Sequence, residues 1–189
     1  MTEETLGAMA GHITQSASLF PSPSQFDVVA YCCTSGTSVI GEKKVTELVK
    51  AGCKTKYVTN PLSALVAACK RRDIKRLAFL SPYIESVSAH LRDAIAAHGI
   101  DTPVFGTFNE GEEAKVAWID RESICDAAKS LVSVDDVDGI FLSCTNLKTI
   151  GFIKTLESEL GMSVISSNYV LAEELKELVS SPEQPDLTD

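Results

Sequence analysis

Two cysteines in this chain sit in matching settings. One closes the apolar stretch Phe26-Asp27-Val28-Val29-Ala30-Tyr31 and continues Cys32-Cys33-Thr34-Ser35-Gly36-Thr37. The other closes Gly139-Ile140-Phe141-Leu142-Ser143 and continues Cys144-Thr145-Asn146-Leu147. In each, a strand-like run ends in Cys-Thr followed by Ser or Asn. The carboxyl ends of strands are where open α/β sheets bind ligands. A thiolate is a nucleophile and a thiol an acid. Two thiols beside hydroxyls and backbone N–H groups point to acid/base or nucleophilic work on a small anion.

A free cysteine is often no more than a buried apolar residue. What separates Cys33 from that reading is the polar segment Thr34-Ser35-Gly36-Thr37, which can present backbone N–H groups to an anion and lead into a helix. The same donors are expected to depress its pKa and favour thiolate. Cys144 has Thr145 and Asn146 in the same relation. Strand alternation turns Cys32 away from Cys33, so Cys32 is assigned to packing. Cys53, Cys69 and Cys125 lie among apolar helical residues and read as structural. Ser81-Pro82-Tyr83 ends another strand, where Tyr83 could cap, pack or offer its hydroxyl to a ligand.

Elements that must position these residues alternate between helix and strand. Glu3 to Leu19 reads as one amphipathic helix, broken by Pro21-Ser22-Pro23-Ser24. Strands are expected over 26–32, 56–59, 76–80, 103–108, 140–143 and 164–166. Helices are expected over 42–50, 61–72, 84–98, 120–131, 149–160 and 168–178. This is a parallel-sheet α/β pattern. A doubly wound domain usually opens on a strand, so the first half reads as short by a strand and a helix. The repeated Cys-Thr strand ends fit two related halves facing each other. The last residues, from Ser180 on, read as a frayed tail.

Composition removes several function classes. The 189 residues are 44% hydrophobic and 23% charged, as in a globular chain without a membrane span or secretory signal. A formal net charge of −9 opposes nucleic-acid binding and leaves attraction of an anion to local donors. Six cysteines form no C-x-x-C pair, which disfavours zinc, and a chain this long and regular needs no disulfide framework. Reduced thiols in a cytoplasm are the simplest setting. His12, His90 and His98 fall on helices and build no triad. No Gly-x-Gly-x-x-Gly or P-loop supports a nucleotide cofactor. Trp118 and the acidic turn Glu110-Gly111-Glu112-Glu113 carry no assigned chemistry.

The segments Tyr31 to Thr37, Ser81-Pro82-Tyr83, Ile119-Asp120-Arg121-Glu122-Ser123-Ile124, Ser143-Cys144-Thr145-Asn146-Leu147 and Ser166-Ser167-Asn168 occur in order over nearly the whole chain. They resemble the aspartate/glutamate racemase superfamily, in its maleate cis–trans isomerase and arylmalonate decarboxylase branch. Decarboxylases of this branch resemble the pattern with one cysteine, so two favour isomerase or racemase chemistry. The resemblance implies two pseudo-symmetric, three-layer αβα halves of flavodoxin or Rossmann-like type with mainly parallel sheets. The first half, over 1–74, would be truncated at its N-terminus, and the second would cover 75–166. A helix over 167–180 would pack back on the first half, with a flexible tail over 181–189.

It further implies a cofactor-independent enzyme acting on a small dicarboxylate, most like maleate isomerisation through a thiolate adduct. Cys33 would be nucleophile or base and Cys144 its partner. Thr34, Ser35, Tyr83, Thr145 and Asn146 would bind substrate, with no metal or organic cofactor. A homo-oligomer is compatible with it; nucleic acid and membrane partners are not. The alternatives are amino-acid or hydantoin-type racemisation, arylmalonate-type decarboxylation, and an inactive, truncated carboxylate-binding relative. Two departures stand out: the chain lacks a usual N-terminal segment with a substrate-binding Asn, and Ala114 replaces another Asn, with Asn109 nearby.

Overall fold

The structure, a computed structural model, describes residues 2–21 and 24–180. The breaker residues Ser22 and Pro23 and the tail over 181–189 lie outside the described residues. The elements are α1 (Glu3–Ala8), α2 (Ala10–Ala17), β1 (Gln25–Ala30), α3 (Thr34–Ile40), α4 (Glu42–Gly52), β2 (Lys54–Thr59) and α5 (Pro61–Arg71). They continue with β3 (Arg76–Tyr83), α6 (Glu85–Ala97), β4 (Asp101–Glu110), α7 (Glu113–Val116), α8 (Arg121–Val132), β5 (Gly139–Leu142), α9 (Ile153–Leu160), β6 (Ser163–Ser166) and α10 (Ser167–Ser180).

Every strand pairing is parallel. β1 and β2 form one sheet, and a second runs in the order β4-β3-β5-β6. Parallel strands need crossover helices, and those helices cover both faces. The central strand β3 is accordingly buried from Leu77 to Tyr83. Its alternation divides the core. Ala78 and Leu80 join Ile140, Leu142, Ile124 of α8 and Leu156 of α9 on one face. Leu77 and Phe79 join Phe141, Ile165, Leu65 of α5, Leu91 of α6 and Val170 of α10 on the other. This is an αβα sandwich. A smaller core of Ile13, Val29, Val45 and Val49 joins α2 and α4 to the two-stranded sheet. Helix α10 lies against α5, β1 and β2, and Arg72, the residue that caps the end of α5, forms an ion pair at 2.6 Å with Glu173 of α10.

The expected single N-terminal helix is two helices meeting at Met9. The turn tightens there, with Met9 N–H donating to Leu6 O at 3.2 Å and His12 N–H to Met9 O at 3.0 Å. The bend lets Leu6 enter the large core while Ile13 enters the small one. Strand β1 ends at Ala30 rather than Cys32, so the alternation argument for Cys32 does not hold. Cys32 is exposed, not packed. No helix among the described residues is long and apolar enough to cross a membrane.

Candidate active site

Parallel pairing brings the strand ends together. Leu80 of β3 pairs with Leu142 of β5, and Ser143 N–H donates to Leu80 O at 2.9 Å, extending the ladder. Tyr83 and Cys144 therefore emerge at the carboxyl ends of adjacent strands. In the first half, Tyr31 N–H donates to Thr59 O at 3.0 Å, so Cys33 leaves the end of the β1–β2 sheet in the same way.

Cys33 is the N-cap of α3 in an extended conformation, and its sulfur accepts the Gly36 N–H at 3.3 Å. The Tyr31 hydroxyl, which donates to Met9 Sδ at 3.7 Å, also lies beside this thiol and favours its charged form. Gly36 is required here, because a Cβ would come within 2.5 Å of the Tyr31 hydroxyl and 3.0 Å of the Cys33 sulfur. Cys144 is built otherwise. It is 5% exposed and has φ of +100°, a strained conformation for a residue with a side chain. Three bonds hold it. Its N–H donates to Ser167 Oγ at 3.0 Å, its sulfur accepts the Asn146 N–H at 3.2 Å, and the Tyr83 hydroxyl lies 3.0 Å from the sulfur.

Both thiols pack in one apolar cluster at the mouth of the larger core. Burial, the dominant cause, pushes both upward in pKa. For Cys33 the Gly36 N–H and Tyr31 hydroxyl pull back, while the Glu113 carboxylate adds to the rise. The expected depression of Cys33 is thus corrected: a few donors do not outweigh desolvation of the charged form. Cys144 is pushed up to about 11 by burial, opposed by Tyr83 and Asn146, with Glu113 and Cys33 raising it further. Both are therefore thiols at neutral pH, and Cys144, the more deeply buried, is suited to giving a proton.

The other candidate residues serve this frame. Thr34 is buried and donates to Ser167 Oγ at 2.9 Å, so Ser167 joins the residue after one cysteine to the backbone of the other. Thr145 Oγ1 donates to Cys32 O at 3.0 Å, a second tie between the halves. Asn168 Nδ2 donates to Thr145 O at 2.7 Å. Ser35 is buried in the first turn of α3. Asn146 Nδ2 donates to Glu113 Oε1 at 2.9 Å, and Tyr83 donates to Glu113 Oε2 at 2.7 Å.

Glu113, Tyr31 and Ser167 were not singled out by sequence reasoning. Tyr31 and Ser167 lay inside recognised blocks, which was signal enough to find them. Glu113 lay in an acidic turn with no chemical signature. It precedes Ala114, the position of the departed Asn, and it is Glu113 rather than Asn109 that bonds the site residues. Among the described residues, no group of three His, Cys, Asp or Glu is arranged to hold a metal.

The family model of arylmalonate decarboxylase matches residues 28–185. The chain belongs to that family. It is 25% identical over 149 residues to the maleate isomerase of Nocardia farcinica (strain IFM 10152), covering 75% of this chain and 59% of that protein. Against the maleate isomerase of Alcaligenes faecalis it is 23% identical, covering 77% of this chain and 60% of that one. The chain thus spans about three-fifths of the length of these curated relatives. Among solved structures, the maleate isomerase Iso of Pseudomonas putida S16 superposes with a TM-score of 0.81 at 22% identity, covering 93% of this chain and 74% of that one. A cysteine-to-serine mutant of the Nocardia farcinica maleate cis–trans isomerase, with a covalently bound succinylcysteine intermediate, gives a TM-score of 0.84 at 23% identity, covering 96% and 76%. These likenesses show the fold, two-domain and αβα.

Proposed function

We propose that this chain is a cofactor-independent cis–trans isomerase of a small, maleate-like substrate, working through Cys33 and Cys144. The observation that carries the reading is the pair of thiols in one cluster, each with a backbone N–H on its sulfur and a tyrosine hydroxyl beside it. The similarity to proteins named maleate isomerase supports the substrate class.

The steps balance as follows. Cys33 first gives its thiol proton to solvent; the thiolate adds to one alkene carbon, and the π pair moves toward the carboxylate on the other carbon. Fixed N–H and hydroxyl donors stabilise that charge. Cys144 S–H protonates the second carbon, leaving a saturated thioether and a Cys144 thiolate. The central bond is now single and rotates. Cys144 retakes a proton, the pair re-forms the alkene, and the Cys33 C–S bond breaks to release the trans isomer. Cys33 and Cys144 are the catalytic residues in this scheme. Thr34 and Thr145 hold the two halves together, while Ser35, Tyr83 and Asn146 face the substrate.

Incubation with maleate in the absence of any added cofactor, followed by proton NMR, tests the reading. Fumarate should appear, and Cys33→Ala should abolish it. A protein inert on maleate, its half-amide, aspartate and arylmalonates alike would overturn it in favour of carboxylate binding without turnover.

A further inference from the structure

The donors assigned to a second substrate carboxylate are already in use. Tyr83 gives its hydroxyl proton to Glu113 Oε2 at 2.7 Å, and Asn146 gives an amide proton to Glu113 Oε1 at 2.9 Å. Both oxygens of one carboxylate are thus received by two site side chains, as a bound carboxylate would be. The Tyr83 oxygen remains 3.0 Å from the Cys144 sulfur, so Glu113 stands one hydroxyl away from the proposed acid. Its charge acts on both thiols. Asn146 Nδ2 also makes a long contact, 3.4 Å, with Glu113 O, which a ligand acceptor can replace, and the Glu113 oxygens have further lone pairs. A neutral group that both gives and accepts hydrogen bonds matches this end of the site. A second anion matches it less well, because it would meet the like charge of Glu113, whose repulsion solvent moderates at this exposed position.

We infer that Glu113 is a specificity-determining residue that replaces one carboxylate of a dicarboxylate, so that the substrate is a cis-alkene monocarboxylate whose other end is a carboxamide. The inference rests on the isomerase reading and narrows its substrate. The half-amide of maleate is the simplest member of the class. Its carboxylate would lie toward the Cys33 half, and its carboxamide N–H would donate to Glu113 while its oxygen accepts from Asn146.

Binding and turnover separate this inference from the reading beneath it. The probes are succinate and its half-amide, which are saturated and cannot react, titrated calorimetrically into the wild-type protein and Glu113→Gln. The half-amide should bind wild type roughly tenfold or more tighter than succinate, since like-charge rejection sets the difference. Glu113→Gln should erase or reverse that ratio, and Glu113→Ala should do the same without an amide in the pocket. Equal affinity of wild type for both probes would overturn the inference, as would an unchanged ratio in Glu113→Gln or no binding of either probe to any variant. Isomerisation of maleate and of its half-amide is measured in parallel. Discrimination without turnover of either alkene upholds the role of Glu113 and sinks the isomerase. Turnover that favours maleate irrespective of residue 113 does the opposite.

Discussion

Cys33 and Cys144 share a sequence pattern but not a backbone. Cys33 leaves its strand extended and caps a helix, with φ of −135° and ψ of 110°. Cys144 turns into positive φ directly after β5. The cap aims the Gly36 N–H at the first sulfur. The positive-φ turn aims the Asn146 N–H at the second and presses it against Tyr83, which is in turn bonded to Glu113. Both thiols are raised by burial, but only Cys144 has a tyrosine whose proton is committed to a carboxylate. Similar residues thus acquire different duties: the half-buried sulfur faces donors that favour its charged form, and the buried one holds its proton more tightly.

The largest expected effect comes from removing each thiol. Cys33→Ala should reduce turnover below detection. Cys144→Ala should lose about 10²–10⁴-fold, the usual contribution of a general acid, yet accumulate a maleate adduct on Cys33 visible by intact mass spectrometry. An adduct on Cys144 in Cys33→Ala, with none in Cys144→Ala, would invert the roles.

A smaller effect isolates the Cys33 side. Gly36→Ala places a methyl against the Tyr31 hydroxyl and the Cys33 sulfur. Displacement of this order costs up to about 100-fold in rate. Alkylation of Cys33 should slow while that of Cys144 stays unchanged; parallel slowing of both would show a global disturbance instead.

Reactivity ranks the thiols against each other. In a Cys32→Ser background, which removes the exposed neighbour, iodoacetamide at neutral pH should label the half-buried Cys33 before the buried Cys144. Cys69 should be slowest, being 1% exposed with its pKa pushed by burial to about 12. Labelling of Cys144 should climb steeply toward its value of about 11, since rate follows thiolate fraction. Faster labelling of Cys144 than of Cys33 near neutrality would remove the division of roles.

The mildest effect is on stability. Cys69 and Cys144 titrate higher when folded than the unfolded thiol, near ~8.5. Above that pH the unfolded chain releases protons the folded one keeps, so stability falls as pH rises toward about 11 to 12. Melting temperatures recorded from neutral pH upward should decline through this window. Cys69→Ala should flatten part of the decline; an unaltered slope would mean that other groups, such as the buried Tyr83, dominate it.

Much of this protein was legible from the order of its residues. Apolar runs bounded by turn residues gave six strands, because a strand covered by helices on both faces must be apolar throughout. The two Cys-Thr ends located the thiols for the same reason: in a parallel sheet, chain direction alone assigns the carboxyl edge. The helices expected from 61 and 120 start there for local reasons: Asn60 caps α5 with Pro61 in its first turn, and Asp120 accepts the Ser123 N–H at the start of α8. The remainder needed three dimensions. No local signal places Glu113 on Tyr83, 30 residues away in sequence, or commits Thr34 to Ser167, 133 residues away. Nor could donors counted along the chain give the direction of the Cys33 shift, because desolvation depends on everything that packs around the sulfur. Sequence thus determined which groups reach the sheet edge. Packing decided what each touches, and so whether a hydroxyl braces the fold or faces a ligand, and which thiol holds its proton more tightly.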